Sequence, residues 1–438
     1  MAPRPPARVQ HHPRAVLFNL YLALVVLACG PAIASPSGEP PIGSPSPGSV
    51  TLAPDAKAIY QTIARQVSTI RQLEAPDRVE PVVIDGPTLL RNLQAEFNDA
   101  NPAEEIAKSE RLLRIMGLLG ADISLAQAYL DLQGSQVIGY YDPKVKELFI
   151  VSRDGALGAI EEVTYAHEFT HELQDRRFNL DSLGLDTIKD DSDRALAILS
   201  LVEGDAVSAQ IAWMTANLTA AQLGEVAAQA SDPAMLAVLA RTPRILLETS
   251  LFPYQAGPGF VARLQARGGY PSVNAAYGNP PVSTEQILHP DADATTLAPI
   301  AMVVPADLAA RLGPDWSVAA RDTFGELQTR VWLREGGVAG DVARLAAEGW
   351  GGDRLVLMDG PDGAAVVVWT TAWDSVQDAR AFESAARTAL GGLRLDARLA
   401  SSGVRVAIAI RSAAAPDRST AAPDDATLVT VLEALIRS

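Results

Sequence analysis

Two histidines four residues apart constrain this chain more than any other feature. In VTYAHEFTHELQD, His167 and His171 fall within a stretch from about 159 to 177 that reads as a helix, so their side chains leave one face about one turn apart. Two imidazoles so placed can share one metal ion. Glu168, beside the first, lies where a carboxylate can take a proton from water at an open coordination position. For a chain of 438 residues with five His, HExxH arises by chance on the order of 0.003 times. His11 and His12 belong to an N-terminal export segment, so the mature protein keeps only His167, His171 and His289.

A catalytic zinc site takes three protein ligands and leaves the fourth position open. No further His follows at short spacing. The candidate is Glu203 in SLVEGDAVSAQ, on a second long helical stretch from about 192 to 217, after a polar, Gly-containing link long enough to turn the chain back antiparallel. Glu161, Glu162, Glu172, Asp175 and Asp205 are other carboxylates nearby. A supporting acceptor is expected among them, because a ligand imidazole usually donates its second N–H to an oxygen.

On HEFTH and EGDA, over about residues 137 to 217, the sequence resembles the gluzincins, the thermolysin-like branch of zinc metallopeptidases. The resemblance implies a zincin-like domain in which His167, His171 and Glu203 hold Zn2+ and Glu168 is the general base. Asp175, four residues after the second His, matches the family's supporting acid. The acid that the family carries four residues after the ligand Glu is here Val207, and Asp205 is the nearby substitute. The segment Val145 to Val151 matches the strand at the cleft edge, which binds extended peptide backbone by strand addition. A fully paired structural strand is the alternative reading of that segment.

Hydrolysis of an amide also needs a donor for the developing oxyanion. PPVSTEQILHP offers His289, at the end of a short helix opened by the Ser283-x-x-Gln286 capping box and stopped by Pro290. Tyr140, Tyr141, Tyr254, Tyr270 and Tyr277 are the other donors near the motif or in the Pro/Gly/Tyr-rich section from 253 to 290.

Residues 1–14 carry Arg4, Arg8 and Arg14 without an acid and precede an uncharged run from Ala15 to Ala34, the order of a secretory signal. Three outcomes are open: cleavage after Ala34, lipidation of Cys29 in a lipobox-like Val26-Leu27-Ala28-Cys29, or retention as an anchor. Residues 35–52 are a Pro/Ser/Gly-rich linker. With 36 Lys and Arg against 52 Asp and Glu the chain carries −16. Removing residues 1–34 takes three Arg and no acid, leaving 33 against 52, or −19. An acidic body with no basic stripe excludes nucleic acid as the expected partner. A single cysteine excludes an internal disulfide.

Amphipathic helices are expected over about 55–73, 88–98, 103–119 and 122–133, with VIGYY and KELFIV joined at Asp142-Pro143 as two short strands. Composition shifts near 300, beyond which lie Trp316, Trp332, Trp350, Trp369 and Trp373. The expected fold is therefore α+β and predominantly helical, with a zincin-like catalytic domain over 53–300 and a small C-terminal α+β domain over 301–438. The expected function is that of an exported zinc metallopeptidase acting on peptide or protein substrates, tethered through Cys29 or the apolar segment, or secreted. A zinc amidase acting on a non-peptide amide, and a non-catalytic envelope binding or scaffold protein, are the alternatives.

Overall fold

The computed structural model describes residues 22–24, 56–77, 80–152, 157–229, 231–292, 297–412 and 422–437. Cys29, Ala34 and the 35–52 linker lie outside the described residues. Within the N-terminal half the elements are β1 (Leu22–Leu24), α1 (Ala56–Arg71), β2 (Val82–Ile84), α2 (Gly86–Ala100), α3 (Ala103–Ile115), α4 (Leu125–Gln136), β3 (Val137–Asp142), β4 (Glu147–Val151), α5 (Ala159–Phe178) and α6 (Ser192–Asn217). There follow α7 (Ala220–Gln229), α8 (Pro233–Arg241), α9 (Arg244–Gly278) and α10 (Thr284–Leu288). The remainder comprises α11 (Leu308–Leu312), β5 (Ser317–Asp322), α12 (Gly325–Glu335), α13 (Gly340–Ala347), β6 (Trp350–Asp359), β7 (Ala365–Trp373), α14 (Val376–Gly392), β8 (Ala397–Ser402), β9 (Arg405–Arg411) and α15 (Asp425–Arg437). The fold is mixed α+β and mostly helical.

The expected hairpin forms where Asp142-Pro143 announced it. Tyr140 pairs with Phe149 and Asp142 with Glu147 in antiparallel register. The Asp142 side chain accepts from the backbone N–H of Lys144, and Lys146 closes the turn at φ 57°. The sheet order is β1-β3-β4-β2, with β2 parallel to β4 and β1 antiparallel to β3. This bears on the cleft-edge reading of Val145 to Val151: Phe149 and Ile150 of β4 are paired on both sides, by β3 and by β2, whereas Glu147 and Leu148 pair with β3 alone. The second partner is the three-residue strand β2, whose Val-Val-Ile run between Pro81 and Asp85 is too short to carry a periodic signal. One sheet face packs Tyr141, Leu148 and Ile150 against α1 and α5, and the other packs Val137 and Tyr140 against Leu89 and Leu93 of α2.

Helices α5 and α6 begin and end within a residue of the stretches read from sequence. Glu161 closes a capping box on the N–H of Gly158, and Asn179 ends α5 in the left-handed region at φ 55°. Among the described residues α6 is a helix long and apolar enough to cross a membrane, but 72% of that window is buried inside the protein. It is the central core helix.

The Pro/Gly/Tyr-rich section from 253 to 290 is dominated by α9, which runs alongside α6 and contains Pro253, Pro258 and Pro271. Its break falls at Gly268 and Gly269, the latter at φ 67°. Packing against α6 outweighs the Pro and Gly content that argues against a helix in isolation.

The C-terminal layer is an antiparallel sheet of order β5-β6-β7-β9-β8. Its inner face carries Trp350, Trp369 and Trp373, packed against Trp332 of α12 and Phe382 of α14, and its outer face is covered by Leu428, Val431, Leu432 and Leu435 of α15. Leu112, Ile115 and Met116 of the α3 region join the tryptophan core, and the Trp332 indole N–H donates to the Met116 carbonyl at 3.0 Å. The two halves thus share a hydrophobic core.

Candidate metal centre

The centre is assembled from the middles of two buried helices. His167, Glu168 and His171 on α5 and Glu203 on α6 are all 0% exposed. Residues three and four apart share a helix face, so His167 and His171 point together toward α6. What brings Glu203 to them is the packing behind it. The next residue, Gly204, meets Gly257 of α9 backbone to backbone, which presses α6 into place.

The Nε2 atoms of His167 and His171 are 3.1 Å apart, and Glu203 Oε2 stands 3.2 Å from the first and 3.3 Å from the second. On the far side of each ring an amide oxygen faces Nδ1: Gln210 Oε1 at 3.3 Å from His167 and Gln174 Oε1 at 2.8 Å from His171. The orientation of Gln174 is fixed by its own partners, because its amide nitrogen donates to the Val202 carbonyl at 3.0 Å and to Asp205 at 3.1 Å. Gln174 therefore presents an acceptor to His171, and Nδ1 carries the proton. When Nε2 is unprotonated on both rings, their lone pairs converge with a Glu203 carboxylate oxygen on one point. His167, His171 and Glu203 are the group among the described residues able to hold a metal ion, with ligand atoms within 4.8 Å of one another.

Electrostatics agree with a cation-seeking site. Without a cation, the fully buried Glu203 charge is costly unless a protonated imidazole compensates it. Burial opposes protonation of His171, yet the Glu203 charge and hydrogen bond, with Glu168, hold its pKa up at about 9. His167 is pushed down, first by burial and then by its charged neighbour His171, against the pull of Glu203. Burial raises Glu203, but the two imidazoles outweigh it and leave it below the usual range.

Around the candidate ligands runs a buried network. Asp205 accepts from Gln174, from the Tyr277 hydroxyl at 2.8 Å and from Arg71 Nε at 2.9 Å. Arg71 also donates to Asn274 at 2.7 Å and lies 4.6 Å from the Tyr270 ring centroid. Asp205 thus reaches His171 through Gln174. Asp175 does not fill the supporting role: its carboxylate accepts from the Tyr141 hydroxyl, Lys146 Nζ and the Leu180 N–H, and Gln174 and Gln210 face the imidazoles instead. Val207 is buried and has no part in the network. Glu161 is a capping residue, and Glu172 pairs with Arg176.

Of the candidate donors, Tyr254 is the one beside the ligands. Its ring is 6.3 Å from His167 centroid to centroid, and its hydroxyl is within hydrogen-bonding reach of Glu203. Burial, then the charges of Glu203 and Glu168, raise its pKa well above the ordinary value, so it stays a neutral donor. His289 instead holds Glu326 at 2.8 Å, with Glu285 and Glu348 as its other charged neighbours. Tyr140 donates to no ligand and accepts from Asn92.

The residues missed from sequence, Gln174, Gln210 and Arg71, carried a partial signal. Gln174 lies three after His171 and Gln210 seven after Glu203, each on the ligand's own helix face. Arg71 closed an apolar-periodic helix as an unremarkable last-turn cation.

Residues 314–435 match the model of a domain of unknown function, DUF8575, which covers the C-terminal layer and none of the candidate centre. No curated protein and no solved structure matches the chain.

Proposed function

We propose that the chain is an exported zinc metallopeptidase hydrolysing peptide bonds, with a zincin-like catalytic domain. The observation that carries this reading is the convergence of His167 Nε2, His171 Nε2 and Glu203 Oε2, the two imidazoles backed by Gln210 and Gln174, beside a fourth buried group, Glu168. The residues fit zinc. Bonds of about 2.0–2.1 Å at tetrahedral angles separate ligand atoms by about 3.3 Å, and the separations here are 3.1 to 3.3 Å. Two imidazoles and a carboxylate are a known catalytic zinc donor set, whereas calcium and magnesium favour oxygen ligands.

Bound zinc would supply Lewis acidity and bring the pKa of a water toward about 7. Glu168 takes the proton from the attacking water and returns it to the leaving nitrogen. Tyr254 donates its hydroxyl to the oxyanion. Gln174 and Gln210 hold the rings in the tautomer that leaves Nε2 unprotonated. The charge-then-apolar N-terminus supports export, and mass analysis of the mature N-terminus separates a lipidated Cys29 from cleavage after Ala34.

The test is hydrolysis of a mixed peptide library by the wild type and by Glu168→Gln. The proposal expects cleavage by the wild type and loss of turnover in the variant with zinc retained. Undiminished cleavage by Glu168→Gln would overturn the assignment of the base.

A further inference from the structure

Tyr254 belongs to two environments. It packs against His167 at the candidate centre and lines a cavity of ≈ 190 Å³ between α3, α4, α6, α9 and the C-terminal layer. Tyr129 and Gln133 line the cavity beside it, and Tyr129 contributes to the electrostatic surroundings of Tyr254 together with Glu203 and Glu168. The cavity therefore neighbours the candidate centre through Tyr254, while His167, Glu168, His171 and Glu203 themselves are fully buried and do not line it.

Its wall is largely apolar: Leu112, Leu196, Leu199, Ile245 and Leu246 come from the helices. Phe324 and Ala320 come from the C-terminal layer. Basic and acidic side chains around it are equal in number, Lys108, Lys189 and Arg321 against Glu105, Asp191 and Asp322, so there is no cluster of one kind to select the occupant. Size selects it. A cavity of about 150 Å³ holds a benzene ring, so this one takes a single aromatic or branched aliphatic group and is too small for a long acyl chain.

We infer that this cavity receives one large apolar side chain of the substrate, and that the C-terminal layer sets this preference through Ala320 and Phe324. The inference rests on the peptidase reading for the peptide nature of the ligand. It gives the C-terminal layer a role in substrate recognition: it closes the side of the cavity that α3, α4, α6 and α9 leave open.

The test is binding of N-acetylphenylalaninamide and N-acetylglycinamide to the purified chain by saturation-transfer NMR, which needs no turnover. Ala320→Phe fills the cavity from the C-terminal side, and Ser250→Leu fills it from α9, so one variant carries the test if the other fails to fold by circular dichroism. The expected result is binding of the phenylalanyl amide alone, weakened by at least about tenfold in the folded variants. Preference for a large apolar residue over glycine in kcat/KM should fall by on the order of 10- to 100-fold in the same variants. Phenylalanyl amide binding without any peptide cleavage would keep the cavity assignment and remove the peptidase reading. Peptide cleavage with a preference indifferent to both variants would keep the peptidase and overturn the cavity assignment.

Discussion

Gly204 of α6 and Gly257 of α9 touch through their backbones. A Cβ on Gly204 would stand 2.3 Å from the Gly257 carbonyl carbon, and one on Gly257 would stand 2.3 Å from the Ser200 carbonyl oxygen. Neither obstacle is a flexible side chain that can swing away, and the residue before Gly204 is Glu203. The crossing of these helices therefore sets the depth at which the Glu203 carboxylate meets the two imidazoles.

Gly204→Ala or Gly257→Ala should force the helices apart. Overpacking of this kind costs about 1–3 kcal/mol. The expected outcome is a lowered thermal midpoint together with reduced zinc content, because the displacement falls beside a ligand. A midpoint and zinc content equal to wild type would show that the crossing does not position Glu203.

Arg71 and Asp205 form an ion pair whose side chains are both 0% exposed. Removing one partner strands the other charge in the interior, at about 3–5 kcal/mol. Arg71→Ala should thus lower the urea midpoint markedly and weaken zinc binding through Gln174. The Arg71→Lys variant keeps the charge but not the planar fork that reaches Asp205 and Asn274 together, so it should recover only part of the loss.

Gln174→Ala removes the acceptor facing His171 Nδ1 without touching a ligand. Loss of such a partner typically lowers metal affinity 10- to 100-fold, and competition with a zinc-chelating dye would measure it. Gln174→Glu keeps an acceptor but adds a carboxylate next to Asp205, so its zinc binding should change with pH along a different course from that of the wild type.

The helix pair carrying the centre was legible because periodicity, caps and the His spacing all agree over α5 and α6. The hairpin was legible from Asp142-Pro143. Helix α9 was hidden because Pro253, Pro258, Pro271 and the Gly268-Gly269 break each argue against a helix locally, while the stabilising contact with α6 is visible only in three dimensions. The partner of β4 over Phe149–Val151 was not legible because β2 is three residues long. The imidazole acceptors were sought among acids and proved to be Gln174 and Gln210: a neutral amide supplies the same acceptor oxygen without adding charge to a site that already holds Glu168 and Glu203. His289 looked like a free donor in the sequence because Glu326, its partner, lies 37 residues away.

Stability should depend on pH in the direction set by buried acids at the junction of the two halves. Burial pushes Asp322 up to about 7, against hydrogen bonds from Ser192 and Thr323. It pushes Glu285 to about 8, with Glu326 and Asp374 adding to the effect, and Asp353 to about 6. In the unfolded chain these groups titrate near about 4. Between those limits the folded form holds protons that the unfolded form has released, so stability falls as pH rises, and the loss is complete above the folded values. The urea midpoint should therefore drop from pH 5 to pH 8, and Asp322→Asn should flatten that slope.

The central claim is that two imidazoles and one carboxylate hold a zinc ion. Elemental analysis of the purified chain, wild type beside Glu203→Ala and Glu168→Gln, tests it most directly. The account predicts about one zinc per chain in the wild type and in Glu168→Gln, with a clear loss in Glu203→Ala. A wild-type protein that is free of zinc and cannot be reconstituted with it would contradict the account.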